Sequence, residues 1–370
     1  MGEFAEGMRT RLDDVETVQR ACERFREAFS ALRRRIGLRI VGQEAVVDQA
    51  LIALFAGGHV LLEGVPGLGK TLLVRTLADS LGLDFNRIQF TPDLMPADVT
   101  GTTIVVEDGV GGRAFQFREG PIFANIVLAD EINRATPKSQ SAMLEAMQER
   151  SVSVGSETRR LPDPFLVLAT QNPIEQEGTF PLPEAQLDRF LLKITVPYAV
   201  RAELTEIIRR TTVPGEVEVT PVLDAEDVLA GRALARRIVI ADSVKDYAIR
   251  LVLATHPEGE FEIPAYRHYI RIGASPRAAQ ALVSAAKVVA LMDGRYAASL
   301  QDVRRVALPA LRHRLVRTFE AEADGVDADE IVRGVLDRVP ADADHPEDGP
   351  PSGVVVAGAA LSAGVLAEMV

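Results

Sequence analysis

The stretch Gly64-Val65-Pro66-Gly67-Leu68-Gly69-Lys70-Thr71 constrains this chain more than any other. Glycine at 64 and 69 lets backbone amides close on an anion, Lys70 has the reach to touch the outer phosphates of a nucleotide, and Thr71 offers a hydroxyl to Mg²⁺. The run His59-Val60-Leu61-Leu62-Glu63 before it reads as a strand, and Lys70 to Leu81 after it reads as a helix. Strand, glycine-rich turn and helix in that order imply an α/β fold with a phosphate at the helix N-terminus.

The rest of the first half agrees. Apolar runs at Val60 to Leu62, Phe85 to Phe90, Ile126 to Ala129, Phe165 to Ala169 and Leu191 to Val196 alternate with helical stretches. That alternation predicts a five-stranded parallel sheet with crossover helices. Before it, Val15, Val18, Cys22, Phe25, Phe29, Leu32 and Ile36 recur at spacings of three and four, an amphipathic helix ending at Gly37, and Ala45 to Phe55 is helical in pattern. Within the irregular stretch Thr91 to Pro121, the runs Thr103 to Val106 and Ala114 to Phe117 flank Asp108-Gly109 and Gly111-Gly112, which predicts a hairpin. Beyond Pro197 helical patterns take over, in Arg201 to Arg210, Ala225 to Ile240, Val244 to Thr255, Pro276 to Met292 and Leu300 to Leu311. The expected organisation is an N-terminal helical segment (1–36), an α/β ATPase domain (37–197) with a hairpin insertion (91–121), a smaller all-α lid domain (198–340), and a linker with an apolar tail (341–370).

Composition narrows the function classes. Hydrophobic residues at 47% and charged residues at 25% are ordinary for a chain that buries its own core. A formal charge of -12 argues against general nucleic-acid binding, which needs a surplus of Lys and Arg on one face. Cys22, the one cysteine, can form no internal disulfide, which fits a reducing, cytoplasmic setting. The first 20 residues carry Glu3, Glu6, Asp13, Asp14 and Glu16 and no apolar block, so no secretory signal is expected. The uncharged run Gly353 to Ala367 is shorter than the roughly 20 residues a spanning helix needs, so no integral membrane segment is expected.

Further polar residues fall at strand ends. Ile126-Val127-Leu128-Ala129-Asp130-Glu131 ends an apolar run in two carboxylates, one to hold the Mg²⁺ shell (Asp130) and one to orient and polarise an attacking water (Glu131). Thr170-Gln171-Asn172-Pro173 lies at the edge where open α/β sheets bind ligands, so Asn172 is either a γ-phosphate or water contact, or a turn former before Pro173. Arg189, just before the fifth run, is either a surface ion pair or a finger for a neighbouring subunit's phosphate. Arg277 starts a helix of the second domain, from which it is expected to reach back over the nucleotide.

Together with Leu128-Ala129-Asp130-Glu131-Ile132-Asn133-Arg134, Phe117-Arg118-Glu119-Gly120-Pro121, Leu144-Glu145-Ala146-Met147-Gln148-Glu149, Leu182-Pro183-Glu184-Ala185-Gln186-Leu187-Asp188-Arg189-Phe190 and Gly273-Ala274-Ser275-Pro276-Arg277, these motifs resemble the MoxR family of AAA+ ATPases over residues 30 to 320. The resemblance implies ATP and Mg²⁺ as cofactors and a homo-oligomeric ring, usually hexameric, with nucleotide between subunits. It makes Asn172 the first sensor, Arg189 the trans-acting finger and Arg277 the second sensor, lines the adenine pocket with Val41-Gly42-Gln43, and suggests a further interface role for Arg134. The hairpin within 91–121 matches an insertion shared with magnesium-chelatase ATPase subunits. By the same resemblance the chain is a chaperone-like ATPase that assembles, matures or remodels client complexes, commonly with a von Willebrand factor A domain partner. Two other readings stay open at this stage: a nucleic-acid motor or transcription regulator, and a nucleotide-gated scaffold that hydrolyses slowly.

Overall fold

A computed structural model describes residues 15–107, 113–155, 157–173, 178–212, 215 and 217–341. The glycine pairs expected to turn the hairpin, the first ten residues and the apolar tail lie outside the described residues. Five strands form one parallel sheet: β1 (Val60–Glu63), β2 (Phe85–Gln89), β5 (Ile126–Asp130), β8 (Leu166–Gln171) and β9 (Leu192–Thr195), in the order β2-β5-β8-β1-β9. All five correspond to the expected apolar runs. Every residue of β5 is buried, as befits an inner strand covered on both faces.

The remaining strands come in pairs. The insertion is the antiparallel hairpin β3 (Gly101–Glu107) and β4 (Arg113–Glu119), and a second hairpin pairs β6 (Ser151–Val154) with β7 (Glu157–Arg160). The second was not anticipated, although Val152 and Val154 alternate up to Gly155-Ser156 with Glu157 and Thr158 following, a two-residue hairpin signature. Gly155 takes φ 63°, the left-handed region that glycine tolerates. After β9 the chain is mainly helical, with two short ribbons: β10 (Val239–Ile240) with β12 (Ala297–Ala298), and β11 (Ile270–Ile272) with β13 (Val316–Arg317). Thus the helical pattern read from Ala225 through Ile240 gives a helix to Arg237 followed by strand. Two further helices, Phe319–Ala323 and Ala328–Arg338, lie beyond the helical patterns read from the sequence. Asp327 caps the second, accepting from the Glu330 N–H.

Two hydrophobic clusters sandwich the sheet. One gathers Phe90, Ile122, Met143, Phe165 and Phe190; the other runs from the opposite face through the N-terminal helix into the lid. That helix, Val15–Gly37, packs on Lys70–Leu81 and on the lid helix Pro276–Met292. Phe25 meets Phe55 edge-on at 4.8 Å, and Gly231 lies so close to both rings that a Cβ there would sit 2.8 Å from Phe55. Burying a Phe fully contributes roughly 1.5–3 kcal/mol, so this three-helix contact anchors the N-terminal segment to both layers. Cys22 faces the same core, and burial pushes its thiol up to about 11. No helix among the described residues is long and apolar enough to cross a membrane.

Candidate functional site

Parallel strands bring the expected residues to one edge. The glycine-rich loop leaves β1 at Gly64, Asp130 ends β5 with Glu131 next, and Asn172 follows β8, which lies between those two strands. Register sets Leu62 beside Thr170 and Glu63 beside Gln171. Gly67 and Gly69 adopt φ 84° and 76°, left-handed values that bend the loop around a central space. Gly69 precedes the helix Lys70–Leu81 without a capping side chain, so the first-turn N–H groups are left for an anion. Lys70 Nζ donates to the carbonyls of Gly64 and Val65, the latter at 3.1 Å. Burial lowers the Lys70 pKa, while Asp130 and Glu131 work the other way.

The two carboxylates are held by different partners. Thr170 Oγ1 donates to Asp130 Oδ1 at 2.6 Å and accepts from the Glu131 N–H at 2.7 Å. Arg87 reaches Asp130 Oδ2 through Nε at 3.0 Å and a terminal nitrogen at 2.7 Å. Gln89 Nε2 donates to Glu131 Oε2 at 2.8 Å, and Arg134 reaches the same oxygen at 3.1 Å. Glu131 itself sits at φ 56°, a left-handed turn that separates its side chain from that of Asp130. Asn172 is buried at 7% exposure. Hard oxygen donors at Thr71 and Asp130 suit Mg²⁺. Both Asp130 oxygens accept hydrogen bonds, Oδ1 from Thr170 and Oδ2 from Arg87, and a carboxylate keeps further lone pairs with which it would hold a Mg²⁺ shell.

Sequence reasoning missed Thr170, Arg87 and Gln89. Arg87 and Gln89 are polar residues two apart on β2, hence on one face, flanking the buried Ile88. That alternation was the available signal. The Val41-Gly42-Gln43 segment meets the loop directly, since Gln43 Nε2 donates to Leu68 O at 3.1 Å. Gly42 packs on Glu203, whose carboxylate holds the first turn of the helix Arg201–Thr211.

Arg277 departs from expectation. It does not reach over its own phosphate loop but forms a 3.9 Å ion pair with Asp188 and lines, with Arg189, Gly58, His59 and Arg314, a cavity of about 320 Å³. Gly58 and His59 precede β1, whereas the loop follows it; the four residues of β1 at about 3.3 Å each put roughly 13 Å of strand between them. Arg189, just before β9, which is parallel to β1, stands at that same far edge. The physical reason is Asp188, which also accepts from Ser275 Oγ at 2.8 Å and Arg314 Nε at 2.8 Å and so holds the start of the lid helix there. Arg189 Nε is buried without a hydrogen-bond partner.

This combination of parallel sheet, glycine-rich loop, paired carboxylates and helical lid defines an AAA-type P-loop ATPase. Residues 59–192 match the model of the ATPase family associated with various cellular activities (AAA), and residues 265–335 match an AAA lid domain. The chain is 46% identical over 300 residues to Chaperone MoxR1 of Mycobacterium tuberculosis, covering 81% of this chain and 78% of that protein. It is 33% identical over 337 residues to Protein MoxR of Methylorubrum extorquens, covering 86% and 96%. A putative ATPase from Cytophaga hutchinsonii, solved by crystallography, superposes with a TM-score of 0.82 at 42% identity, covering 88% of this chain and 98% of that one. The chain belongs to the MoxR family of AAA+ ATPases.

Proposed function

We propose that this protein is a Mg²⁺-dependent ATPase that works as a homo-oligomeric ring, in the family's usual hexameric form, to assemble, mature or remodel client protein complexes. The observation that carries the ring is the separation of Arg189 and Arg277 from the phosphate loop of their own subunit by the length of β1. Residues at opposite sheet edges meet at one phosphate only when a neighbouring subunit supplies one set. In this reading Arg189 is the finger and Arg277, the second sensor, accompanies it into the neighbour's site.

Within the subunit, Gly64 to Thr71 wraps the phosphates and Lys70 leaves its two carbonyl partners for the outer ones. Mg²⁺, when bound, neutralises phosphate charge, with Thr71 and Asp130 as its protein contacts. Glu131 orients the attacking water, with its backbone fixed by Thr170 and its carboxylate by Gln89 and Arg134, and Asn172 is the sensor beside it. Val41 to Gln43 lines the adenine side. Chaperone activity is supported by the similarity to the mycobacterial Chaperone MoxR1. The hairpin adds a candidate client contact, because Phe115 is 82% exposed and its cross-strand neighbour Val105 is exposed as well. A von Willebrand factor A domain partner rests on family membership alone. A cytoplasmic setting accords with the one cysteine, Cys22.

The test is Glu131→Gln. Gln retains the size of Glu131 but cannot polarise water, so purified protein is expected to bind ATP like the parent, turn over at least ~100-fold more slowly and retain client in a pull-down. Turnover like that of the parent would remove Glu131 from its role.

A further inference from the structure

Three consecutive basic residues, Arg312-His313-Arg314, form the turn after the lid helix Leu300–Leu311, and none of them was singled out by motif. Arg314 is almost wholly buried, its side chain 3% exposed. Its guanidinium donates to Asp188 Oδ1 at 2.8 Å, Asp188 O at 3.3 Å, Phe190 O at 2.6 Å and Leu191 O at 3.2 Å, and also to Ala310 O in its own helix. Three of these five bonds grip Asp188 and Phe190, on either side of Arg189, and a fourth takes the next residue, Leu191. His313 adds Nε2 to Phe190 O at 3.0 Å; since a carbonyl only accepts, that nitrogen carries the proton.

The segment's own main-chain N–H bonds stay within its turn or run to the strand edge, with Phe190 N–H on Leu187 O at 3.0 Å and Leu191 N–H on His59 O at 2.8 Å, so Arg314 and His313 supply the ties from its carbonyls to the turn after the lid helix. Arg189 lies in the turn after the four-residue helix Glu184–Leu187, with its N–H on Gln186 O at 3.3 Å. A guanidinium with five donors in a rigid fork can fix three carbonyls and a carboxylate together, whereas the single nitrogen of a lysine cannot. At the other end of β9, Arg312 donates to Thr195 Oγ1 at 2.5 Å and pairs with Asp329 at 2.9 Å. Thr195 lies in register with Glu63, the residue before Gly64. The triplet therefore spans β9 from the finger end to the phosphate-loop end.

We propose that Arg314 is the positioning residue of Arg189: it clamps the finger segment to the lid, so that the finger's aim at the neighbouring subunit follows the orientation of the lid. This rests on the reading of Arg189 as a trans-acting finger. Arg314 touches no nucleotide in this scheme, and its loss acts on turnover through Arg189 without altering the subunit's own ATP site.

Four variants of the full chain test this: Arg189→Ala, Arg314→Lys, the two combined, and Asp188→Asn, which keeps the carbonyl grips and removes the charge facing both Arg314 and Arg277, with Arg277→Ala as the control for the second contact. Steady-state turnover, affinity for a fluorescent ATP analogue and oligomer size are measured on each. Arg189→Ala is expected to lose at least ~100-fold in kcat, as finger removal does. Arg314→Lys is expected to lose ~10-fold or more in kcat with analogue affinity within about twofold of the parent, and the combined variant to be no slower than Arg189→Ala, the non-additivity of residues acting as a unit. A kcat like that of the parent in Arg314→Lys, or a combined variant slower by the full Arg314→Lys factor, overturns the proposal. If Arg314→Lys does not fold or assemble, Asp188→Asn decides, measured in the parent and in an Arg277→Ala background: a ~3-fold or greater kcat loss in both at unchanged affinity supports the clamp, and kcat unchanged by the substitution in the Arg277→Ala background overturns it. Failure of the underlying reading looks different, because then Arg189→Ala itself turns over normally.

Discussion

Replacing Thr170 by Val removes one hydroxyl and little volume, and the structure says what that hydroxyl holds. Thr170 is 1% exposed; its Oγ1 donates to Asp130 at 2.6 Å and takes the Glu131 N–H at 2.7 Å. A hydrogen bond to a charged group contributes about 1.5–3 kcal/mol, and a buried N–H left unpaired costs about 1–3 kcal/mol. The two effects share one oxygen and are not independent, so the expected loss of stability is about 2–5 kcal/mol, or roughly 3–7 °C in Tm for a chain of this size. Activity should suffer separately. In the proposed role of Glu131, releasing the N–H that secures its left-handed turn lets the carboxylate wander from the water, so kcat is expected to fall ~10–100-fold, and the Mg²⁺ dependence is expected to shift because the same hydroxyl holds Asp130. Thermal melts and steady-state turnover measure both. Thr170→Ser is the control: it keeps the hydroxyl, loses a methyl, and should retain kcat with a stability loss on the order of 1 kcal/mol. A Thr170→Val protein that melts and turns over like the parent would refute the idea that this hydroxyl organises the carboxylates.

Three other perturbations are tested by comparable means. His59 accepts the Val167 N–H at Nδ1 and meets Met147 O at Nε2, and burial lowers its pKa to about 4. The neutral ring is the folded form, so its contribution is fully present above the ordinary value of about 6.5 and is lost as pH falls toward 4, amounting to about 2 kcal/mol between pH 7 and pH 5; His59→Gln should flatten that part of the pH-dependence of urea midpoints, and an unchanged profile counts against it. A Cβ on Gly334 would lie 2.1 Å from the Tyr266 ring, so Gly334→Ala is expected to lower stability by about 1–2 kcal/mol. In a Tyr266→Ala background the same change should instead raise stability by up to about 1 kcal/mol through helix propensity, and the absence of this sign reversal in thermal melts would refute the steric account. Lys70→Ala should abolish nucleotide binding in a fluorescent-analogue titration without lowering Tm by more than about 2 °C, since Lys70 serves carbonyls at the loop and no core contact.

What the sequence disclosed, and what it withheld, divides along a physical line. The five strands were legible because buried parallel strands are short apolar runs, and the phosphate loop because its glycines meet a backbone demand that few residues satisfy. Thr170, Arg87 and Gln89 were not, because their roles arise from pairing across the sheet: Thr170 is brought to Asp130 by β8 lying beside β5, and Arg87 to Asp130 by β2 lying on the other side. Arg314 is further still from local pattern, its partners lying more than a hundred residues earlier. The placement of Arg277 was misjudged for the same reason. A lid helix beginning with Ser275-Pro276-Arg277 carries a cap signal but no information about which sheet edge it meets, and Asp188 decides that.

Strand polarity then leads to a conclusion that no single motif contains. β1 and β9 are parallel neighbours, with Val60 beside Leu192 and Glu63 beside Thr195. The phosphate loop begins after the last residue of one, and the finger segment ends before the first residue of the other. No rotamer of Arg189 or Arg277 spans the intervening strand, because an arginine side chain extends roughly 7 Å and β1 is roughly 13 Å long. The order of the sheet therefore argues against an intrasubunit role at the phosphate for Arg189, and Arg277 stands beside it through their shared neighbour Asp188. Either a second copy brings them to that phosphate, or they serve the cavity they line with Gly58 and His59. Arg189→Ala separates the two: loss of turnover that is restored by mixing with Lys70→Ala subunits, which lack ATP but retain the finger, is possible only if the arginine acts across a subunit boundary.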